Sequence, residues 1–365
     1  MDFTKPEAAQ DLSGLVGTIV DAVCTPQHQR ELDKLDQRLD TTLWRKLIDA
    51  DILSTAAPES VGGGGFGVLE QTAILTALGR QIAAVPYLES VVLGAGALAR
   101  FGSPELQQAW AAPAVAGQKV LTVALDGEWG QGPVQATASD DGFRLTGTRT
   151  QVPFGPVADA LLVLAETHSG TAVFLVSAGD PGVSVTALET TGQNSSGELE
   201  LADVEVGSDR MVGDGEVVAW LASTRAVGLT AFQLGVLERA LELTADYART
   251  REQFDRPIGS FQAVSQRLAD GYIDIKGLRL TCEQASWRLS EDLPADVEVA
   301  TAAFWAAEAG HRVAHTTVHV HGGVGIDTDH PVHRYFITAK QTEFALGGAT
   351  AALRVIGRDL ADAPA

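Results

Sequence analysis

The sequence predicts an α+β protein in three consecutive parts: a helical segment over 1–118, a small β-barrel or sandwich over 119–214, and a helical bundle over 215–365. Three observations predict it. Apolar residues recur by threes and fours up to about residue 118. Near Lys119 the period drops to two, and near Gly215 the helical period returns and continues to Leu360. The length of 365 residues, 45% of them apolar, is enough for two or three domains with cores of their own.

In the first part, Leu12, Leu15, Val16, Ile19, Val20 and Val23 form one helical face. A second helix follows Thr41-Thr42, read as its cap, with Leu43, Leu47 and Ile48 inward. The run Gly62–Gly65 invites a phosphate-loop reading, but no Gly-Lys-Ser/Thr follows and no strand precedes it, so it reads as a joint between helices. Helices resume from Val68 to Ile82 and from Leu88 to Arg100. Ser103-Pro104-Glu105 then has the order of a helix start: a capping hydroxyl, proline in the first turn, an acid at the positive end.

The middle part holds short runs rich in β-branched residues, among them 121–127, 143–152, 160–166, 171–178 and 198–206. Asp141-Gly142 and Asp180-Pro181-Gly182 supply turns. Within 198–206, Leu199 and Leu201 share one face and Glu198 and Glu200 the other.

A net charge of −21 argues against nucleic acid and anionic membrane surfaces as partners, and makes any phosphate-bearing ligand depend on locally placed Arg or Lys. There is no run of eighteen apolar residues and no signal-peptide pattern in MDFTKPEAAQ. Cys24 and Cys282 are too few for a disulfide framework or a zinc site. The expectation is a soluble, cytoplasmic protein.

The third part is organised around Tyr247–Asp270. Leu234, Leu237 and Leu241 recur before it, and Phe261, Val264, Leu268, Tyr272, Ile275 and Leu278 after it. Pro257 biases Arg256 away from helix, so the chain is expected to turn there and present Arg251, Gln253 and Phe254. This stretch resembles the Arg-x-x-Phe-Gly-x-Pro-Ile-x-x-Phe-Gln signature of acyl-CoA dehydrogenases, with Asp255 in place of the usual Gly. The residues 57–67 resemble that family's Pro-Glu-x-x-Gly-Gly-x-Gly joint. HVHGGVGID, from His319, resembles its Gln-x-x-Gly-Gly-x-Gly loop with His for Gln.

The resemblance runs through nearly the whole chain. It implies the family fold: helical domain, central β domain, C-terminal four-helix bundle. It also implies that Arg251, Gln253, Phe254, Gln262, Gly322 and Gly323 serve the pyrophosphate and adenine part of an FAD held across a subunit interface. Arginine offers charge-assisted bonds to a pyrophosphate, and glycines let backbone approach closely.

Family members remove an α-proton with a glutamate while a hydride passes from the β-carbon to the flavin. Both places from which that glutamate comes look empty. Leu346, followed by Gly347, stands at one, with no carboxylate between Glu343 and Asp359. At the other, no acid lies between Glu216 and Glu238, and Thr224-Arg225 resembles a pair that lies near acyl-CoA in some members. Glu343 lies about one helical turn, about 5 Å, from the expected place, and reads as a solvated or ion-paired acid. On the flavin side, Asp126, Gly127 and Glu128 stand near the family's Thr-Glu-Pro, and Gln151, Val152 and Pro153 at its Trp-Ile-Thr. Proline brings neither hydroxyl nor N–H. His311, His315 and His319 recur every four residues, with His321 after them. No completing carboxylate or cysteine is arranged with them, so they read as interface or core histidines and not as metal ligands.

The resulting expectation is a subunit without its own complete active site. It would pair with a homologous catalytic acyl-CoA dehydrogenase subunit, as α2β2, and complete that subunit's FAD site, the acyl-CoA being bound mainly by the partner. The chain looks similar to the base-lacking subunit of actinobacterial heterotetramers that shorten steroid side chains. Two alternatives stay open: a self-sufficient homo-oligomeric enzyme with an unrecognised base, and a flavin-free scaffold.

Overall fold

A computed structural model describes residues 4–125, 131–192 and 194–362. The longer helices are α1 (Glu7–Val23), α2 (Thr41–Asp49), α3 (Val68–Arg80), α4 (Gly215–Thr250), α5 (Gln262–Ser290), α6 (Asp296–His321), α7 (Val332–Ala345) and α8 (Gly348–Asp362). The strands are β1 (Leu121–Ala124), β2 (Val134–Ser139), β3 (Gly142–Pro153), β4 (Ala160–Thr167), β5 (Gly170–Ser177), β6 (Val183–Ala187), β7 (Ser196–Gly207) and β8 (Met211–Gly213). Helix, sheet, helix is the predicted order, and α+β is the observed class.

The chain packs as two compact units that cut across the three sequence segments. One takes the chain up to Arg30, Val68–Ala83, and everything from Ala226 on; the other takes Glu31–Gly67 and Ala84–Arg225.

The second unit is built on one sheet of order β6-β7-β3-β2-β4-β5-β8, with β1 parallel to the first half of β4 and β2 parallel to its end. Its core draws on most of the strands at once, from Ala124, Leu145, Leu161, Val163, Phe174, Leu199 and Val206. Leu199 and Leu201 point inward as their alternation predicts. The alternation then slips. Asp203 sits at φ 54°, the pairing with β3 shifts there, and the inward residues become Val204 and Val206. A bulge adds one residue to one strand and exchanges its faces. The second helix of the first part is capped by Asp40, whose carboxylate accepts from Leu43 N at 2.8 Å, and not by Thr41-Thr42. Ser103 caps the helical segment that begins at Pro104 as read, accepting from Leu106 N at 3.3 Å.

In the first unit, α1 buries Leu12, Val16 and Val20, one i, i+4 row, while Leu15 stays exposed. The bundle core packs Ile82 with Leu234 and Leu237 of α4, Ile275 and Leu278 of α5, Val313 of α6, and Tyr335 and Ala339 of α7. Charged residues lace its rim. Arg80 donates to Glu238 at 3.1 Å and Glu242 at 2.8 Å, Arg279 closes on Glu238, and Arg312 holds the buried Asp274 at 2.9 Å. By length and composition α4 could cross a membrane, yet half of its most apolar stretch is buried inside protein.

Candidate functional site

The corner after α4 is a miniature hairpin. The helix ends at Thr250, seven residues ahead of Pro257, so the break lies upstream of the proline that predicts it. Glu252–Gln253 then pairs antiparallel with Arg256–Pro257. Between them Phe254 and Asp255 lie at φ 54° and 61°. Two consecutive left-handed residues are what a type I′ two-residue turn requires, and they explain a glycine-preferring position at 255. Ile258 N bonds Arg251 O at 2.8 Å and closes the corner. Phe254 is 87% exposed, meeting Phe261 edge-on at 6.1 Å, and the Arg256 guanidinium lies 4.0 Å from the Phe261 ring centre.

Arg251, Gln253 and Gln262 are exposed beside it. The Arg251 side chain forms no ion pair with any described residue, whereas the Gln253 amide donates to Glu252 O at 2.8 Å. A charge-bearing donor fork is therefore presented outward on a backbone fixed by hydrogen bonds.

The glycine loop lies at the same end of the bundle. Tyr247 stacks on His321, the last residue of α6, at 4.4 Å and 23°, and Thr244 and Thr317 hydroxyls meet at 3.3 Å. These contacts hold the end of α4 beside the end of α6. Gly322 then takes φ 64°, ψ −140°, a conformation reserved for glycine. Nothing lies within 4 Å of a side chain added at Gly322 or Gly323. Burial pushes His321 and His330 below the usual imidazole range, so both are neutral near pH 7. All six residues expected to serve the nucleotide thus fall on two neighbouring segments.

The two places expected for a base are different. Leu346 ends α7 and packs against the bundle core. Glu343 is not free to act: it is paired with Lys340 at 2.5 Å and His311 at 3.4 Å, and it is less solvated than a surface acid. Arg225 lines, with Ala124, Gln151, Val152 and Pro153, a recess of about 20 Å³, room for about one water molecule. Gln151 sits at φ 55° where β3 bulges, and Thr122 donates to Pro153 O at 2.5 Å. Asp126, Gly127 and Glu128 lie outside the described residues. Among the described residues no group of three or more His, Cys, Asp or Glu is arranged to hold a metal. The His311 and His315 rings lie 4.5 Å apart, tilted at 46°, and His315 meets Phe336 edge-on at 5.3 Å.

Sequence reasoning passed over Glu89. It interrupts the apolar run Tyr87–Ala95, which forms a π-helix, and that interruption was the available signal. Burial raises its carboxyl to about 7, opposed by its own backbone N–H and by Arg225. An acid raised on folding is penalised once ionised, so stability falls as pH rises from about 4.5 to about 7. Glu89→Gln removes that slope. Chemical denaturation is expected to show a gain of roughly 3 kcal/mol at pH 8 and almost none at pH 4.

The helix–sheet–helix order and the arginine corner define an acyl-coenzyme A dehydrogenase fold. Residues 6–118 match the acyl-CoA dehydrogenase N-terminal domain and residues 214–361 the C-terminal domain, so the chain belongs to the acyl-CoA dehydrogenase family. It is 73% identical, over 100% of both chains, to acyl-CoA dehydrogenase FadE27 of Mycobacterium tuberculosis. A chain of the ChsE4-ChsE5 complex from Mycobacterium tuberculosis superposes with a TM-score of 0.99, 74% identity and full coverage of both chains. A chain of the Tcur3481-Tcur3483 steroid ACAD G363A variant does so with a TM-score of 0.92 and 38% identity, over 98% of this chain and 99% of that one.

Proposed function

We propose that this chain is the half-site subunit of a heteromeric, FAD-dependent acyl-CoA dehydrogenase. It completes the FAD site of a homologous catalytic subunit and supplies no base. The observation that carries the reading is a contrast. The nucleotide-facing set is outward and unobstructed at Arg251, while the base positions hold Leu346 and an acid-free stretch of α4.

The residues present fit the dinucleotide end of FAD. Arg251 would hold the pyrophosphate, Gln253 and Gln262 would bond beside it, Phe254 would offer its ring, and Gly322-Gly323 would admit the backbone. FAD, when bound, accepts the hydride. This chain's contribution is to hold and orient its nucleotide end.

Exposed apolar side chains support a partner. Tyr272 and Ile273 of α5 are 57% and 62% exposed, and Leu353 and Leu360 of α8 also face outward. The two names in the ChsE4-ChsE5 complex support pairing with an unlike chain, and the steroid named for the Tcur3481-Tcur3483 protein supports a steroid-derived substrate; we take the assembly to be α2β2 and the substrate to be a steroid side-chain CoA thioester.

The test is the FAD-to-chain ratio. Isolated chain is expected to carry almost no flavin, and the co-expressed complex one FAD per pair of unlike chains. Isolated protein that is yellow and bleaches with acyl-CoA would sink the proposal in favour of a self-sufficient enzyme.

A further inference from the structure

A second cavity lies wholly within the unit that carries the bundle, walled by α1, α3, α4 and α5. Its volume is about 210 Å³. A cavity of ~150 Å³ suffices for benzene, so this one has room for a larger ring system. None of its walls belongs to the corner, the glycine loop, or positions 224–225 and 346.

The lining is chemically one-sided. Ala9, Leu69, Ala73 and Leu234 give aliphatic surface, and Trp287 an aromatic wall. Burial pushes the Cys282 thiol up to about 12, so it remains protonated and uncharged. Of the hydroxyl residues that line the space, the three on helices each give their hydrogen to their own helix: Thr72 to Leu69 O at 3.0 Å, Thr76 to Thr72 O at 2.8 Å, Ser286 to Cys282 O at 2.7 Å. A hydroxyl whose hydrogen is engaged still has lone pairs to accept with. At the rim, Lys5 and Glu283 face each other at 3.7 Å, neutralising one another.

We propose that this cavity is a binding site for a neutral, ring-containing small molecule, about the size of a bicyclic, that bears a hydroxyl. Its rings lie against Trp287 and the aliphatic walls, and its hydroxyl donates to a threonine or serine oxygen. A charged ligand is disfavoured, because the two charged groups among the described lining residues, Lys5 and Glu283, already face each other at the rim.

The probe is 2-naphthol, titrated calorimetrically into the full-length chain in the form in which it purifies, alone or with its partner. Saturable binding at one site per chain is expected. 2-Methoxynaphthalene, which has similar rings and no donor, should bind about five-fold more weakly. Ala73→Leu fills the space and should weaken 2-naphthol more than ten-fold. If that variant does not fold, Ala9→Leu carries the same arm. Equal affinity for the two naphthalenes, equal affinity for wild type and filled variant, or no saturable heat overturns the proposal. Flavin content of the mixed complex, read alongside, should stay the same in the filled variant, which separates this site from the FAD role.

Discussion

Arg251→Ala in the mixed complex is expected to weaken flavin retention by roughly 10- to 150-fold, while the two kinds of chain stay associated. The size follows from the bond being lost: a hydrogen bond to a charged group contributes about 1.5–3 kcal/mol. Arg251 has no ion-pair partner among the described residues that would have to be given up when a pyrophosphate arrives. Its backbone bonds, to Tyr247 O and from Ile258 N, both 2.8 Å, survive the substitution, so the corner keeps its shape. Arg251→Lys should restore only part of the retention, because an ammonium supplies the charge without the planar fork. The measurement is flavin absorbance per chain after exhaustive dialysis. Retention equal to wild type would remove the corner from the cofactor site and with it the half-site reading.

That prediction starts from residues whose grouping was legible in sequence. Arg251, Phe254 and Gln262 are close in the chain, and Gly322-Gly323 has a spacing of its own. What the letters did not carry is why the two segments meet: the stacking of Tyr247 on His321 depends on both helices ending at one level. The corner's shape was also hidden. Proline marks a break, but helix α4 stops earlier, where the hairpin pairing of Gln253 with Arg256 takes over. Period-two alternation found the inward face of β7 up to Leu201 and was blind to the bulge at Asp203, because a bulge is set by the partner strand. Glu89 escaped for a related reason. A lone acid in an apolar run gives no hint of its neighbours until the π-helix and Arg225 are placed around it. The three sequence segments follow changes of period, whereas compactness follows contacts, and α3 packs with α4 across more than a hundred residues of chain.

That α3–α4 crossing gives the largest expected effect on stability. A Cβ at Gly235 would sit 2.0 Å from Thr76 O and 2.8 Å from Arg80 N, and one at Gly79 would sit 2.1 Å from Phe232 O. The obstructing atoms are backbone on both sides, so no rotamer change relieves the clash; the two helices must separate. Separation would pull Leu234 and Leu237 from Ile82 and strain the reach of Arg80 to Glu238 and Glu242. Gly235→Ala is therefore expected to cost about 3 kcal/mol or more, the upper end of overpacking. In a thermal melt of a chain this long that corresponds to a fall of roughly 4 °C or more, or to insoluble protein. Gly17→Ala is the control. It lies within α1 with nothing inside 4 Å, so the same substitution should there stabilise by about 0.5–1 kcal/mol through helix propensity alone. Opposite signs for one chemical change would locate the effect in the crossing. Equal, small effects at both positions would mean that α3 and α4 do not approach as closely as their two glycines require.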